Sequence, residues 1–514
     1  MKNSNFAKII TLFALSAILL STLASCGGVA YEGSYSSDYY SAEKEDVYGN
    51  EDPSIPVEIR LEENREIKTA DNAVSTFSAD VDTASYTLFR SLVQNGISYT
   101  DLLENYAGWF RTEEFINYFD YSSYKEAADG ELFGVNSTVV KCPWNEERYL
   151  LVLGLAADST IPETVSAGNN YVFLVDVSGS MASVNKLPLL QKALNKLTES
   201  LGDDDIISIV TYAGKERVVL EGCSGAEKDK ILKAVDDLRA SGSTNGQSGM
   251  QKAYEIAEKY FIENGNNRII MASDGDLNVG ISSVDGIKQL VSEKKETGVY
   301  LSVLGFGSGN YRDSIMESIA DNGNGAYYYI DGESEAEKVF GTDFASTMFT
   351  VGTDVKLQLT FNTENVISYR QIGYENRQLS EQDFTDDSKD AGEVGAGHRL
   401  TVIYELELAP ELNADSDSEL CKLAIRYKKP TEDESTLQEA AVTAAVISDE
   451  MTDDSLLAVS IAETCLLLRG SEYIKTKLNL LDVITTLSDI TSDNTDVSEF
   501  KDLIRTLINS QMAQ

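Results

Sequence analysis

The 514-residue sequence predicts an α/β doubly wound domain inserted between flanks that form a β-sandwich with additional helices. Three observations predict it. Between residue 171 and about residue 345, short apolar runs alternate with helical patterns, as a parallel sheet covered on both faces requires. On either side lie segments rich in β-branched and aromatic residues, which suggest one sandwich assembled from both flanks. The chain then closes in two apolar stripes of helical period.

Taken in order, Lys2 and Lys8 precede an apolar run over residues 9–20, and Leu23-Ala24-Ser25-Cys26 follow. This reads as a signal peptide over 1–25 with a lipobox. The apolar core is shorter than the ~20 residues a spanning helix needs, and small residues lead straight into the Cys. An ordinary signal peptide with Cys26 incidental is the plainer alternative. The expected location is the cell membrane or outer membrane, extracytoplasmic face, held only by lipid on Cys26. Residues 26–69, rich in Gly, Ser, Tyr and acid, read as a lipidated flexible tether. Residues 70–165 form an N-terminal flanking segment of helices plus β-strands, strand-like over 136–156.

The doubly wound domain spans 166–347, with strands expected at 171–176, 206–212, 217–220, 268–272, 299–304 and 326–330. Helices are expected at 187–201, 226–238, 246–263, 284–297, 313–321 and 334–340. Residues 348–514 form a C-terminal domain, with sandwich strands at 355–361, 398–408 and 420–427 followed by helices. The stripes Leu457, Ile461, Cys465, Leu468 and Phe500, Leu503, Ile504, Leu507, Ile508 read as packed core.

Composition removes several functions. With 84 Asp and Glu against 42 Lys and Arg, the formal charge is -42, so nucleic acid and basic-patch membrane adhesion are excluded. One His excludes His-rich zinc sites and the H-E-x-x-H helix. That residue, His398, sits in a Gly-rich turn and reads as a structural hydrogen-bonding group. Cys142, Cys223, Cys421 and Cys465 form no C-x-x-C pair and are expected as buried thiols, although an oxidising compartment also permits one disulfide. The G-F-G-S-G-N run at 305–310 lacks the third Gly of a phosphate-cradling loop. Acidic clusters at 203–205, 386–390, 415–419 and 449–454 read mostly as solvated loops, none with the D-x-D-x-D-G spacing of a calcium loop.

Directly after the first central strand the chain reads D-V-S-G-S, which sets Asp176, Ser178 and Ser180 in one tight loop. A second loop, S-G-S-T-N-G, carries Thr244 just before a helix. A third, S-D-G-D, carries Asp274 and Asp276 after the 268–272 strand. Ligands of doubly wound sheets bind outside the carboxyl ends of the strands, where strand order reverses. Two carboxylates and three hydroxyls there are hard oxygen donors. They suit Mg²⁺, with Mn²⁺ or Ca²⁺ as alternatives, and do not suit zinc or copper.

These residues resemble the metal-ion-dependent adhesion site of the von Willebrand factor type A domain, D-x-S-x-S, then a Thr, then an Asp. The resemblance implies that the hydroxyls of Ser178, Ser180 and Thr244 touch the cation, while Asp176 and Asp274 act directly or through water. A carboxylate from a partner protein would complete the sphere. Asp276 is a possible helper. The flanks resemble the YfbK-like bacterial lipoproteins through S-T-F-S-A-D-V-D-T-A-S-Y (75–86), E-E-F-I-N-Y-F-D-Y (113–121), D-V-K-L-Q-L-T-F-N (354–362), Y-R-Q-I-G-Y-E-N-R (369–377) and D-A-G-E-V-G-A-G-H (390–398). The stretch 99–111 departs from that pattern. Together these imply a membrane-anchored binding or adhesion protein that captures an acidic residue of a partner through a divalent cation. The alternative is a scaffold or assembly factor for a cell-envelope complex in which the metal is only structural. An enzyme is not expected, because no general base or second metal stands beside the site.

Overall fold

The computed structural model describes residues 61–161, 167–242, 246–275, 284–295, 297–307, 313–412, 417–430, 432, 434–474, 478–491 and 493–512. The expected signal peptide, Cys26 and most of the expected tether lie outside the described residues, as do Thr244 and Asp276. Among the described residues no helix is long and apolar enough to cross a membrane.

The N-terminal flank supplies β1 (Ile67–Lys68), β2 (Val74–Ser78), β3 (Phe133–Lys141) and β4 (Tyr149–Ala157). The central domain supplies β5 (Asn169–Asp176), β6 (Ile206–Tyr212), β7 (Glu216–Ser224), β8 (Asn266–Ser273), β9 (Tyr300–Phe306) and β10 (Tyr327–Ile330). After it come β11 (Thr350–Phe361), β12 (Val366–Ile372), β13 (Gly392–Gly395), β14 (Arg399–Leu408), β15 (Glu419–Lys428) and β16 (Thr436–Thr443).

The central sheet runs β10-β9-β8-β5-β6-β7, parallel except for the β7 edge. Alternation along β5 explains the covering on both faces: Val172 and Leu174 enter one hydrophobic cluster, Tyr171, Phe173 and Val175 the other. Helices Leu187–Ser200 and Lys228–Asp236 pack on the second face, and Gly246–Lys259, Val284–Lys295 and Asp313–Asn322 on the first. Strand order reverses between β8 and β6, with β5 at the pivot, so the loops after β5 and β8 emerge side by side.

Both sandwich sheets mix the two flanks. One runs β1-β12-β14-β4-β3, with β4 antiparallel to β14 from Tyr149↔Leu406 to Ala156↔Arg399. The other runs β13-β11-β15-β16, with β2 paired to β11. They face each other through Phe361, stacked on Tyr369 at 4.3 Å and edge-on to Tyr404 at 5.5 Å. The two-flank sandwich is therefore present. The strand expected over 136–156 is two strands, broken at Pro143 and Asn145, where the chain turns.

The divergent stretch 99–111 folds as a helix, Tyr99–Asn105, capped by Ser98, whose hydroxyl accepts from Asp101 N, followed by a tight turn that buries Trp109. The helix Asp453–Leu468 corrects the expectation of a single stripe: Ser460, Glu463 and Thr464 are as buried as Leu457 and Ile461, because helices and strands surround it. The stripe of Thr495–Met512 packs as core through Phe500, Leu503, Ile504, Leu507 and Ile508.

The described acidic clusters are mostly exposed, as expected, with one exception at 203–205. Asp205 is buried and accepts from Asn169 N and Gly202 N, pinning the turn into β6. More widely, buried ion pairs join the central domain to its flanks. Arg377 meets Asp80 at 3.0 Å, Asp82 at 3.5 Å, Glu317 at 3.2 Å and Asp321 at 3.0 Å. The other Asp82 oxygen accepts from Tyr327 N at 2.8 Å, fastening the N-terminal flank to the β10 edge. Arg90 reaches Asp331, Glu335 at 2.7 Å and Glu499 at 3.3 Å. The four cysteines described are free and buried, and burial pushes the Cys142, Cys421 and Cys465 thiols up to about 12.

Candidate metal centre

Asp176 is the last residue of β5 and is fully buried. Its Oδ1 accepts from Ser178 N at 2.8 Å, which bends the loop back over the strand end, and its Oδ2 accepts a 3.4 Å bond from the Ser273 hydroxyl at the end of β8. The bend sets the hydroxyls of Ser178 and Ser180 2.9 Å apart. Ser178 is buried and Ser180 exposed, so the pair grades from the sheet edge to solvent.

The neighbouring loops are tied to this one through the backbone. Val177 N donates to Tyr212 O at the end of β6, Ser241 N to Val177 O at 2.6 Å, and Gly179 N to Gly242 O at 3.0 Å. Ser241 and Gly242 lead into the S-T-N segment that carries Thr244. The helix behind that segment seats on Tyr212 through Gly249, where an added Cβ would come within 2.8 Å of the tyrosine Cβ. From β8, Asp274 follows directly and is also buried.

Of the expected set, Asp176, Ser178, Ser180 and Asp274 are described and stand on the adjoining β5 and β8 loops at the reversal of strand order. Burial pushes the Asp176 carboxyl up to about 6; hydrogen bonds from Ser178 oppose the shift, and the Asp274 charge adds to it. The Tyr212 phenol is raised well above its usual range, by burial first and then by Asp176 and Asp274. A buried carboxylate held near a second one, with two hydroxyls at its mouth, is a donor set that a hard divalent cation fits.

Sequence reasoning missed Lys186. Its Nζ donates to Asp274 Oδ2 at 2.8 Å, across 88 residues of chain. The only local signal is a Lys just ahead of the helix Leu187–Ser200, a position that ordinarily means nothing. His398 is structural, as expected: its Nδ1 accepts from Gly395 N at 3.1 Å, and burial lowers its pKa to about 4. Two acidic triads lie elsewhere among the described residues. Asp80, Glu114 and Glu317 are matched by Arg111 and Arg377, while Asp354 and Asp390 of the second triad pair with Lys428 and Lys295. Both read as ion-pair joints.

Comparison with known proteins agrees with this layout. Residues 170–342 match the von Willebrand factor type A domain, residues 59–152 match a family described as von Willebrand factor, and residues 346–511 match "Uncharacterized protein YfbK, C-terminal". The chain is 40% identical over 438 residues to YfbK of Escherichia coli (strain K12), covering 81% of this chain and 74% of that one. Human inter-alpha-trypsin inhibitor heavy chain H3 is 26% identical over 257 residues, 46% of this chain and 28% of its own length. Among solved structures, a von Willebrand factor type A protein from Catenulispora acidiphila overlaps with a TM-score of 0.40 at 18% identity, covering 66% of this chain and 78% of that one. The mussel byssus proximal thread matrix protein 1, with a zinc-occupied MIDAS motif, overlaps with a TM-score of 0.30 at 20% identity, covering 35% of this chain and 46% of that one. A type A domain over 170–342, followed by a YfbK C-terminal region and 40% identical over most of its length to YfbK itself, this chain belongs to the YfbK family of von Willebrand factor type A domain proteins.

Proposed function

We propose that the chain is a lipid-anchored, extracytoplasmic binding protein that captures an acidic residue of a partner protein through a divalent cation. The observation that carries this reading is the meeting of Asp176, Ser178, Ser180 and Asp274 at the carboxyl edge of one parallel sheet. Thr244 and Asp276, from the motif alone, would complete the set as ligand and helper. Mg²⁺ suits these oxygens best, with Mn²⁺ or Ca²⁺ as alternatives.

When bound, the cation supplies an electrophilic position for an incoming carboxylate. The chain's own residues hold that position. Ser178 N fixes Asp176, Ser273 backs it, and the Asp176 charge lies too deep to meet a partner directly. Among the four described residues of the set, Ser180 is the exposed one. Anchoring rests on the Leu23-Ala24-Ser25-Cys26 lipobox, and the acid surplus argues against nucleic acid as the partner.

A second reading is a scaffold for an envelope complex. It is favoured by the share of the chain built into a sandwich that is ion-paired to the type A domain. A pull-down from envelope extracts, with and without chelator, separates the two. Loss of partners on chelation supports capture; partners retained in full overturn it in favour of the scaffold.

A further inference from the structure

Lys186 is held as a built part of the metal centre. Its side chain is 16% exposed and its carboxylate partner Asp274 is 2% exposed, so the 2.8 Å pair is largely shielded from water. The backbone fixes the lysine at the head of the helix Leu187–Ser200: its N donates to Ser183 O at 3.0 Å, and its O accepts from Leu190 N at 2.9 Å. The stem crosses Gly307 on the loop after β9. A Cβ there would lie 2.3 Å from Lys186 Cε, so any side chain at 307 would make the lysine stem shift. Gly307 also has φ +78°, and its carbonyl accepts from the Tyr329 hydroxyl at 2.8 Å, which fixes that wall. Three separate segments thus aim one ammonium at one of the two carboxylates expected to serve the cation.

We propose that Lys186 is an internal competitor of the divalent cation: its ammonium shares Asp274 with the metal and thereby raises the metal concentration at which the site loads. The inference rests on the metal-site reading above. An ammonium and a divalent ion repel each other, and a carboxylate that gives charge to one gives less to the other. The buried Asp274 carboxylate costs less beside an ammonium than without one, and the lysine supplies that charge at all metal concentrations. The result is a centre that stays folded at low metal and answers to metal over a higher range than its donors alone would set.

The test is calorimetric titration of the full-length protein with Mn²⁺, comparing wild type with Lys186→Met, which keeps the stem and removes the charge. The expected result is a Kd about tenfold lower in Lys186→Met, a near wild-type Kd in Lys186→Arg, and no tightening from Lys186→Met in an Asp274→Asn background. Without metal, Lys186→Met should unfold at lower denaturant than wild type. Lys186→Gln gives a second variant with the same expected direction should the Met form be insoluble. An unchanged or weaker Mn²⁺ affinity in the uncharged variants overturns the competitor role while leaving the metal site standing, as does tightening that persists without the Asp274 carboxylate. Failure of wild type and all variants to bind Mn²⁺ overturns the metal-site reading and the competitor role together.

Discussion

Replacing Asp176 by Asn should stabilise the protein in chelator, by an amount that grows with pH. Burial raises the carboxyl from its ordinary 3.8 to about 6. The sign follows from linkage. Below the unfolded pKa, folded and unfolded chains both carry the proton, and the carboxyl costs nothing. As pH rises from about 4 to about 6 the unfolded chain releases its proton while the folded chain keeps it, and stability is lost. Above about 6 the cost is constant. One pKa unit is about 1.4 kcal/mol, so the penalty is about 1 kcal/mol at pH 4.5 and about 3 kcal/mol at pH 7.5. Asn keeps an oxygen for Ser178 N and carries no charge, so the penalty disappears. Denaturant unfolding of both proteins in EDTA at the two pH values measures it. Asp176→Asn should be the more stable by roughly those amounts, and saturating Mg²⁺ should reverse the order by stabilising wild type alone. A difference independent of pH, or an Asn variant less stable at pH 7.5, refutes the reasoning.

Three further outcomes are expected. Arg377→Met should destabilise the fold by about 3 to 5 kcal/mol, since it strands buried carboxylates from both the N-terminal flank and the helix Asp313–Asn322; unfolding in urea checks it. Cys142, Cys421 and Cys465 should resist thiol reagents in the native protein and react after denaturation, because burial holds them protonated; mass spectrometry after labelling reads each site. At saturating metal, association with an acidic partner should speed up with moderate salt, as the surrounding negative field is screened within ~8 Å at physiological ionic strength; stopped-flow rates that fall steeply instead point to a basic partner.

The fold was legible because its signals are local. Apolar runs at 171–175 and 269–272 mark doubly covered strands, and the chain of strand, oxygen-rich loop and helix places Asp176 and Asp274 at the same edge once the sheet is parallel. What sequence did not disclose is long-range charge pairing. Asp80, Asp82 and Arg377 stand on loops and Glu317 on a helix, and only folding brings them into one buried joint. Lys186 escaped for the same reason, since nothing within ten residues announces Asp274. The helix Asp453–Leu468 shows one apolar stripe in sequence, Leu457, Ile461, Cys465 and Leu468, while its tertiary setting also buries the polar Ser460, Glu463 and Thr464.

The measurement that bears most directly on the metal centre is Mg²⁺ titration of wild type and Asp176→Ala by calorimetry, at neutral pH and fixed ionic strength. A centre built on Asp176, Ser178, Ser180, Thr244 and Asp274 predicts saturable binding of one ion per chain in wild type, weakened at least tenfold in the variant. Full affinity retained by a folded Asp176→Ala protein would contradict it.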